Sequence, residues 1–115
     1  MQKRIAKQRK EYYNLGGKPM AHEFEWDEQK EQINIKKHGI AFRTATAVFD
    51  DPFMVDLYDE AHSTVDEARY KAIGRAGNTL TVLSVIYTER QKIRIISARL
   101  ATPREEEEYY YDSNL

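Results

Sequence analysis

Two arginines lie within a segment that otherwise has the composition of a buried strand, residues 93–100 (IRIISARL). Aliphatic and β-branched side chains without Gly or Pro are typical of strands. Arg94 and Arg99 are five positions apart, so a regular strand would present them on opposite faces. A guanidinium group binds phosphate well because its donors match the oxygens in pairs. The segment therefore indicates a surface for RNA or for an acidic partner.

Charge is distributed unevenly along the chain, although the net charge is only −1. Residues 68–104 hold eight Lys or Arg and one acidic residue, whereas residues 20–67 hold four basic and twelve acidic residues. Such asymmetry favours a polyanionic partner. Mutual neutralisation of the two halves within one fold explains the pattern equally well.

The chain has 115 residues and no cysteine. This length predicts one domain, and the absence of cysteine excludes a disulfide scaffold and a cysteine metal site. No apolar run is long enough to span a bilayer, and no apolar stretch follows the basic N-terminus as in a secretory signal. We expect a cytoplasmic protein with a flexible basic extension over residues 1–19 and a single domain over residues 20–115.

No metal or other cofactor is predicted. His22 and His62 lack the spacing of a metal site. A dense acidic run is interpreted as a solvated edge or a partner-facing surface, because its members are spread over a helix end and a strand. The run comprises Asp50, Asp51, Asp56, Asp59 and Glu60.

The elements that would position these side chains follow the order β-α-α-β-β-β-β-α. Asp27 is a good N-cap for a first helix that ends at His38-Gly39. Thr102, Pro103 and Glu105 form a capping-box pattern at the start of the last helix. A second helix is predicted over residues 42–49, and strands over 23–26, 53–58, 68–74, 80–87 and 93–100. Residues 80–87 are the most apolar and should form a central strand.

Consecutive strands joined by tight turns predict an antiparallel β-meander with helices packed on it, an α+β domain.

Several blocks, in this order, resemble the BrnT family, the toxin half of a bacterial type II toxin–antitoxin pair. They are Phe24-x-Trp26-Asp27, Lys30, Asn34, Lys37-His38-Gly39 with Phe42, Phe49 with Asp51-Pro52, Arg69, Ile73-Gly74, Tyr87-Thr88-Glu89-Arg90, and Ile95-Ile96-Ser97-Ala98-Arg99 followed by Ala101-Thr102 and Glu105. The resemblance implies a RelE-like fold and a metal-independent endoribonuclease that cleaves cellular RNA and inhibits translation and growth.

The resemblance also implies neutralisation by a cognate BrnA-like ribbon-helix-helix antitoxin. A heterotetramer with an antitoxin dimer is the assembly it suggests, and DNA would be contacted only through the antitoxin.

RNA cleavage without a metal needs a base, cations that stabilise the phosphorane, and an acid for the departing 5′-oxygen. Arg69, Arg94 and Arg99 are candidates for stabilising the phosphate, since they fall on strands expected to be neighbours. Surface or ion-paired arginine is the alternative for each. His38 is a candidate for proton transfer, and it is equally a residue that closes the helix before Gly39. Glu89 is a candidate base, although pairing with the adjacent arginine is favoured.

Four further basic residues are candidates for binding RNA: Lys37, Lys71, Arg90 and Lys92. The sequence does not identify an acid–base pair unambiguously, so a second interpretation stays open. In that interpretation the basic sheet is a non-catalytic binding module for an acidic protein or a nucleic acid.

Overall fold

The computed structural model describes residues 22–113, and the predicted basic extension lies outside them. Five strands form one sheet in the spatial order β1-β5-β4-β3-β2. The strands are β1 (Phe24–Glu25), β2 (Val55–Tyr58), β3 (Tyr70–Arg75), β4 (Val82–Glu89) and β5 (Ile93–Leu100). The helices are α1 (Glu28–His38), α2 (Phe42–Thr46), a 3-10 helix (Ala47–Asp50) that continues α2, and α3 (Pro103–Ser113).

The α+β class is confirmed, but the sheet is mixed. Strands β2 to β5 pair with their neighbours antiparallel, whereas β1 pairs with β5 in parallel. The prediction of a purely antiparallel meander was therefore wrong for β1. Helices α1 and α2 follow β1 along the chain. In the sheet, β1 lies beside β5, on the side away from β4. Strand β4 is central and buried along almost its whole length, as its composition predicted.

Both long helices begin at predicted caps. The Asp27 carboxylate accepts hydrogen bonds from the backbone N–H groups of Gln29 and Lys30, at 2.8 and 3.1 Å. Helix α1 ends at Gly39, whose φ of 70° is the left-handed conformation that glycine adopts without strain. At α3, Glu105 N–H donates to Thr102 Oγ1 at 3.2 Å and Thr102 N–H donates to Glu105 Oε1 at 2.9 Å. This reciprocal pair is a capping box.

The two sides of the sheet are covered by different helices. On the side that we call the α2 face, Phe42, Val85, Ile95 and Ala98 belong to the larger buried cluster. On the opposite side, the α3 face, a smaller buried cluster consists of Val55, Leu57, Ile73, Val82 and Tyr109. Because side chains alternate along a strand, the cross-strand register assigns every strand residue to one of these faces.

Strand β5 contains a β-bulge that changes this alternation. Ile86 pairs with Ser97 and the next residue of β4, Tyr87, pairs with Ile95, so Ile96 is one extra residue in β5. As a result Ile95 and Ala98, three positions apart, both lie in the larger cluster on the α2 face. Arg94 and Arg99 consequently share the α3 face. The expectation that they lie on opposite faces, which assumed a regular strand, was wrong.

Helix α1 covers the outer edge of β5 beyond the short β1. The Asn34 side chain donates from Nδ2 to the carbonyl of Ala98 at 2.8 Å and accepts from its N–H at 3.1 Å. The same Nδ2 donates to the carbonyl of Ile40 at 2.9 Å. A buried amide side chain thus takes the place that a neighbouring strand would occupy. Within residues 22–113, no helix is long and apolar enough to cross a membrane.

Candidate functional site

The α3 face carries basic side chains from strands β3 and β5 and from the residue that directly precedes β3. Lys71 of β3 is opposite Ile86, which is opposite Ser97 of β5. Arg99 is opposite Ser84, one row further along, and Arg94 is opposite Thr88 at the other end. Arg69 directly precedes β3 and continues its register toward Thr88. Four of the predicted cations therefore lie on one side of the sheet.

The first cluster on this face is built around Glu105, the capping-box residue of α3. Lys71 Nζ lies 2.8 Å from Glu105 Oε2, and Arg99 binds both oxygens, with Nη1 at 2.6 Å from Oε1 and Nη2 at 3.1 Å from Oε2. Ser84 Oγ also donates to Oε2, at 3.2 Å. One buried carboxylate thus connects strands β3, β4 and β5 with α3.

Glu105 remains ionised over the whole physiological pH range. Its burial favours the neutral form, but hydrogen bonds from Arg99, Lys71 and the backbone of Thr102 outweigh the burial and lower its pKa to about 2. A carboxylate with so low a pKa is a weak base and cannot serve as an acid near neutral pH. Its chemical contribution is to hold Arg99 and Lys71 in place.

A groove runs beside this cluster, between α3 and the sheet. Its charged lining consists of Lys71, Arg99, Arg104, Glu105, Glu107 and Glu108. Cations and carboxylates are equal in number there, so the groove has no net formal charge. A phosphate group would bind in it by competing with the carboxylates of α3.

The second cluster is built around Glu67, in the loop before β3. Arg69 Nε lies 3.2 Å from Oε1 of Glu67 and Arg90 Nη2 lies 2.9 Å from Oε2. These contacts, that of Arg90 above all, lower the pKa of Glu67. Arg90 was expected to pair with Glu89, and its carboxylate partner here is Glu67. Two guanidinium groups share one carboxylate, so the cluster keeps a formal charge of +1.

Arg69 keeps two nitrogens of its guanidinium group available although it is paired. It contacts Glu67 through Nε, and neither of its Nη nitrogens makes a hydrogen bond to another residue among 22–113. Arg99 by contrast uses both Nη nitrogens on Glu105. Arg94 makes a looser ion pair with Glu25 of β1, at 3.4 Å. Each candidate arginine therefore has a carboxylate partner, and both Arg69 and Arg94 keep unused donors for a phosphate.

The remaining predicted residues lie elsewhere. Lys37 and His38 are exposed in the last turn of α1, which packs along the outer edge of β5 and not on the α3 face. Lys92 is exposed in the turn between β4 and β5, close in sequence to Arg90. Glu89 ends β4 opposite Ile93, a position of the α2 face. The structure does not bring these four side chains to Lys71 and Arg99.

Three residues of the acidic run are structural, so the prediction of a solvated edge was wrong for them. Asp51 accepts from the N–H of Arg75 at 2.8 Å and from the hydroxyl of Tyr109 at 2.7 Å. Asp56 accepts from the Tyr87 hydroxyl at 2.7 Å. Asp59 is buried and binds His62. Asp50 and Glu60 are exposed as expected, and residues 22–113 hold no group of three or more His, Asp or Glu placed to bind a metal ion.

Three contributors to the site were not recognised from the sequence. Glu105 was predicted only as a cap, and Glu67 was not singled out. The pairing of His62 with Asp59 was missed because the histidine was considered only as a metal ligand. One sequence feature could have indicated this pair. The carboxylate of Asp59 and the imidazole of His62 are three positions apart in a short loop.

The chain matches a protein-family model. The model described as "Ribonuclease toxin, BrnT, of type II toxin-antitoxin system" matches residues 26–105. The matched span contains every strand after β1, and both carboxylates that organise the basic clusters, Glu67 and Glu105. No curated protein matches the chain.

Proposed function

Because the chain belongs to the BrnT ribonuclease toxins of type II toxin–antitoxin systems, we propose that it cleaves cellular RNA without a metal ion, using the α3 face of its sheet. The observation that carries the proposal is the common face of Lys71, Arg94 and Arg99, which the bulge at Ile96 produces. Arg69 extends the same surface.

The proposed chemistry is attack of a ribose 2′-hydroxyl on the neighbouring phosphodiester. Negative charge on the phosphate oxygens increases in the transition state, and preorganised cations stabilise it there more than in the ground state. Glu105 and Glu67 supply the preorganisation, because each fixes two cations. The free Nη donors of Arg69 match two phosphate oxygens.

The toxin is proposed to be held inactive by a ribbon-helix-helix antitoxin that covers the α3 face. Formation of such a complex would involve the exposed Arg90 and the half-buried Arg94, so added salt should weaken it. Co-purification of the full chain with the product of an adjacent reading frame, at low and at high salt, tests this part. A complex whose affinity does not change with ionic strength would exclude the basic clusters as the contact surface.

Cleavage itself is tested with purified full-length protein, single-stranded RNA and an excess of chelator. Arg69→Ala should slow cleavage by about two to three orders of magnitude, the typical cost of removing one preorganised donor. Arg43→Ala is the matched control, because Arg43 is exposed on α2 at the other side of the sheet. Circular dichroism should show both variants folded.

A non-catalytic binding module is the alternative, and one observation favours it: each candidate arginine already has a carboxylate partner. The same experiment separates the two functions. Tight RNA binding without product, even with protein in excess, would establish the module and refute the enzyme.

A further inference from the structure

The loop between β2 and β3 fixes His62 relative to Arg69. Ser63 Oγ donates to the carbonyl of Asp59 at 2.6 Å and accepts from the N–H of Arg69 at 2.8 Å. The N–H of Asp59 in turn donates to the carbonyl of Arg69 at 2.9 Å. These bonds connect the start of the loop, at Asp59, with its end, at Arg69, through Ser63. His62 directly precedes Ser63, so its backbone position is fixed by the same bonds.

Asp59 and Arg69 continue the pairing of β2 with β3 by one step. Leu57 is opposite Lys71 and Tyr58 is opposite Tyr70, so the next pair in this register is Asp59 with Arg69, as their hydrogen bond indicates. Alternation places the side chain of Asp59 on the face of Leu57 and Lys71, which is the α3 face. The Asp59–His62 pair therefore lies at the same end of the basic surface as Arg69.

The geometry of the pair resembles that of an oriented base. Asp59 is fully buried, and its Oδ2 lies 2.5 Å from Nδ1 of His62, whose side chain is 60% exposed. A carboxylate only accepts hydrogen bonds, so Nδ1 is the nitrogen that donates to it, and in the neutral imidazole Nε2 then has a free lone pair. Within residues 22–113, no hydrogen bond occupies Nε2. A base held by a second group, with its reactive nitrogen open to solvent, is the arrangement that proton transfer requires.

We propose that His62, oriented by Asp59, is the catalytic proton-transfer residue of RNA cleavage, a role that rests on the proposed ribonuclease function. Nε2 takes the proton of the 2′-hydroxyl as the bond from the 2′-oxygen to phosphorus forms. The imidazolium then returns this proton to the 5′-oxygen as the bond from phosphorus to that oxygen breaks. The products are a 2′,3′-cyclic phosphate and a 5′-hydroxyl, so no co-reactant is consumed. Asp59 stabilises the imidazolium between the two steps.

Other titratable groups fit this role less well. Glu105 and Glu67 have lowered pKa values and each is engaged by two cations. His38 is exposed on α1, and no side chain among residues 22–113 orients it. The charged groups on the elements around His62 are Asp59 at the end of β2, Glu60 beside it, and Asp66, Glu67 and Arg69 on the returning arm of the loop.

The test measures single-turnover cleavage of single-stranded RNA, with chelator, over a range of pH. His62→Gln should reduce the rate by about 100-fold or more, which is the usual contribution of a positioned proton-transfer group. Its melting temperature and its affinity for 2′-O-methyl RNA should stay at the wild-type values, because the side chain is largely exposed. The acid limb of the pH–rate profile should disappear. His22→Gln, which changes a histidine packed against Phe24, is the matched control.

Two further measurements separate a chemical from a structural role. Added imidazole should restore part of the activity of His62→Ala, which a structural role would not produce. Asp59→Asn should shift the pH–rate profile if it folds; if it does not fold, the imidazole rescue decides. Wild-type rate and pH profile in His62→Gln, while Arg69→Ala is impaired, would overturn this inference and leave the ribonuclease intact. Absence of cleavage by the wild type would overturn both.

Discussion

Lys71 and Arg99 lie on strands that β4 separates, yet both bind the carboxylate of Glu105. Their nitrogens reach it at 2.8 and 2.6 Å. Glu105 is at once the capping-box partner of Thr102 in α3 and the counter-ion of two cations of the sheet. The position of α3 and the position of the cations are therefore coupled through a single side chain.

Glu105→Gln should lower the free energy of unfolding by about 3 kcal/mol, because removing one partner of a buried ion pair leaves the other uncompensated. The side chains of Lys71 and Glu105 are only 12% and 10% exposed, so solvent compensates little. Urea denaturation of wild type and variant measures the difference. The neighbouring Glu106→Gln is the control, since Glu106 is exposed and should change stability by less than about 0.5 kcal/mol. Equal effects of the two substitutions would show that the Glu105 network does not stabilise the fold.

Stability should also fall in acid because of this residue. Burial opposes ionisation of Glu105, but its hydrogen bonds from Arg99 and Lys71 bring the folded-state pKa from 4.5 to about 2. A group whose pKa is lower in the folded state stabilises it fully above the unfolded-state pKa and loses that contribution as the pH falls toward the folded-state value. At 1.36 kcal/mol per unit, the loss is of order 3 kcal/mol.

Urea denaturation at several pH values between about 5 and 2 measures this loss. The wild-type curve should be steeper than that of Glu105→Gln, and the difference isolates Glu105 from other carboxylates whose pKa is lowered, such as Asp51. Parallel curves would contradict the prediction.

Asn34→Ala should expose the edge of β5. The substitution removes three hydrogen bonds and leaves the N–H and carbonyl of Ala98 without partners. We expect a loss of about 2–4 kcal/mol, from the cost of unsatisfied buried polar groups. The Ala98 amide should also exchange with solvent faster than in the wild type. Ile33→Ala, at a side chain that is 59% exposed on the same helix, should leave both quantities nearly unchanged.

Binding to RNA should depend on salt through the basic clusters. With a 2′-O-methyl single strand that cannot be cleaved, the logarithm of the association constant should fall linearly with the logarithm of salt concentration. Arg69→Ala should reduce the slope by about 0.7, the value for one phosphate contact on a single strand. Arg43→Ala should leave the slope unchanged. An unchanged slope in Arg69→Ala would remove Arg69 from the binding surface.

Features that depend on nearby residues were predictable from the sequence. The caps at Asp27, Gly39 and Thr102 follow from interactions within one helical turn, and the composition of residues 80–87 was enough to identify the central strand. The predicted helix over residues 42–49 divides into α2 and a 3-10 helix. Prediction and structure therefore differ only in the last turn, where the assignment of helix ends varies most.

Features that depend on distant pairings were not predictable. The parallel contact of β1 with β5 joins residues far apart in the chain, and no local pattern specifies it. The ion pairs of Arg69, Arg94 and Arg99 depend on which carboxylates the fold brings near, so charge counting could not choose between a phosphate site and internal neutralisation. The structure has elements of both, since each arginine is paired and Arg69 still has free donors.

Because β5 contains an extra residue, the number of its residues decides which side chains face α3 as much as their types do. Removing one residue between Ile95 and Ala98 should straighten the strand, and Arg94 at its start would then point toward the buried cluster of the α2 face. Relatives that differ in length at this point should accordingly be aligned on Ile95 and Ala98, with the gap placed between them. A comparison that ignores this offset would equate a position of the α3 face with a core position of the α2 face.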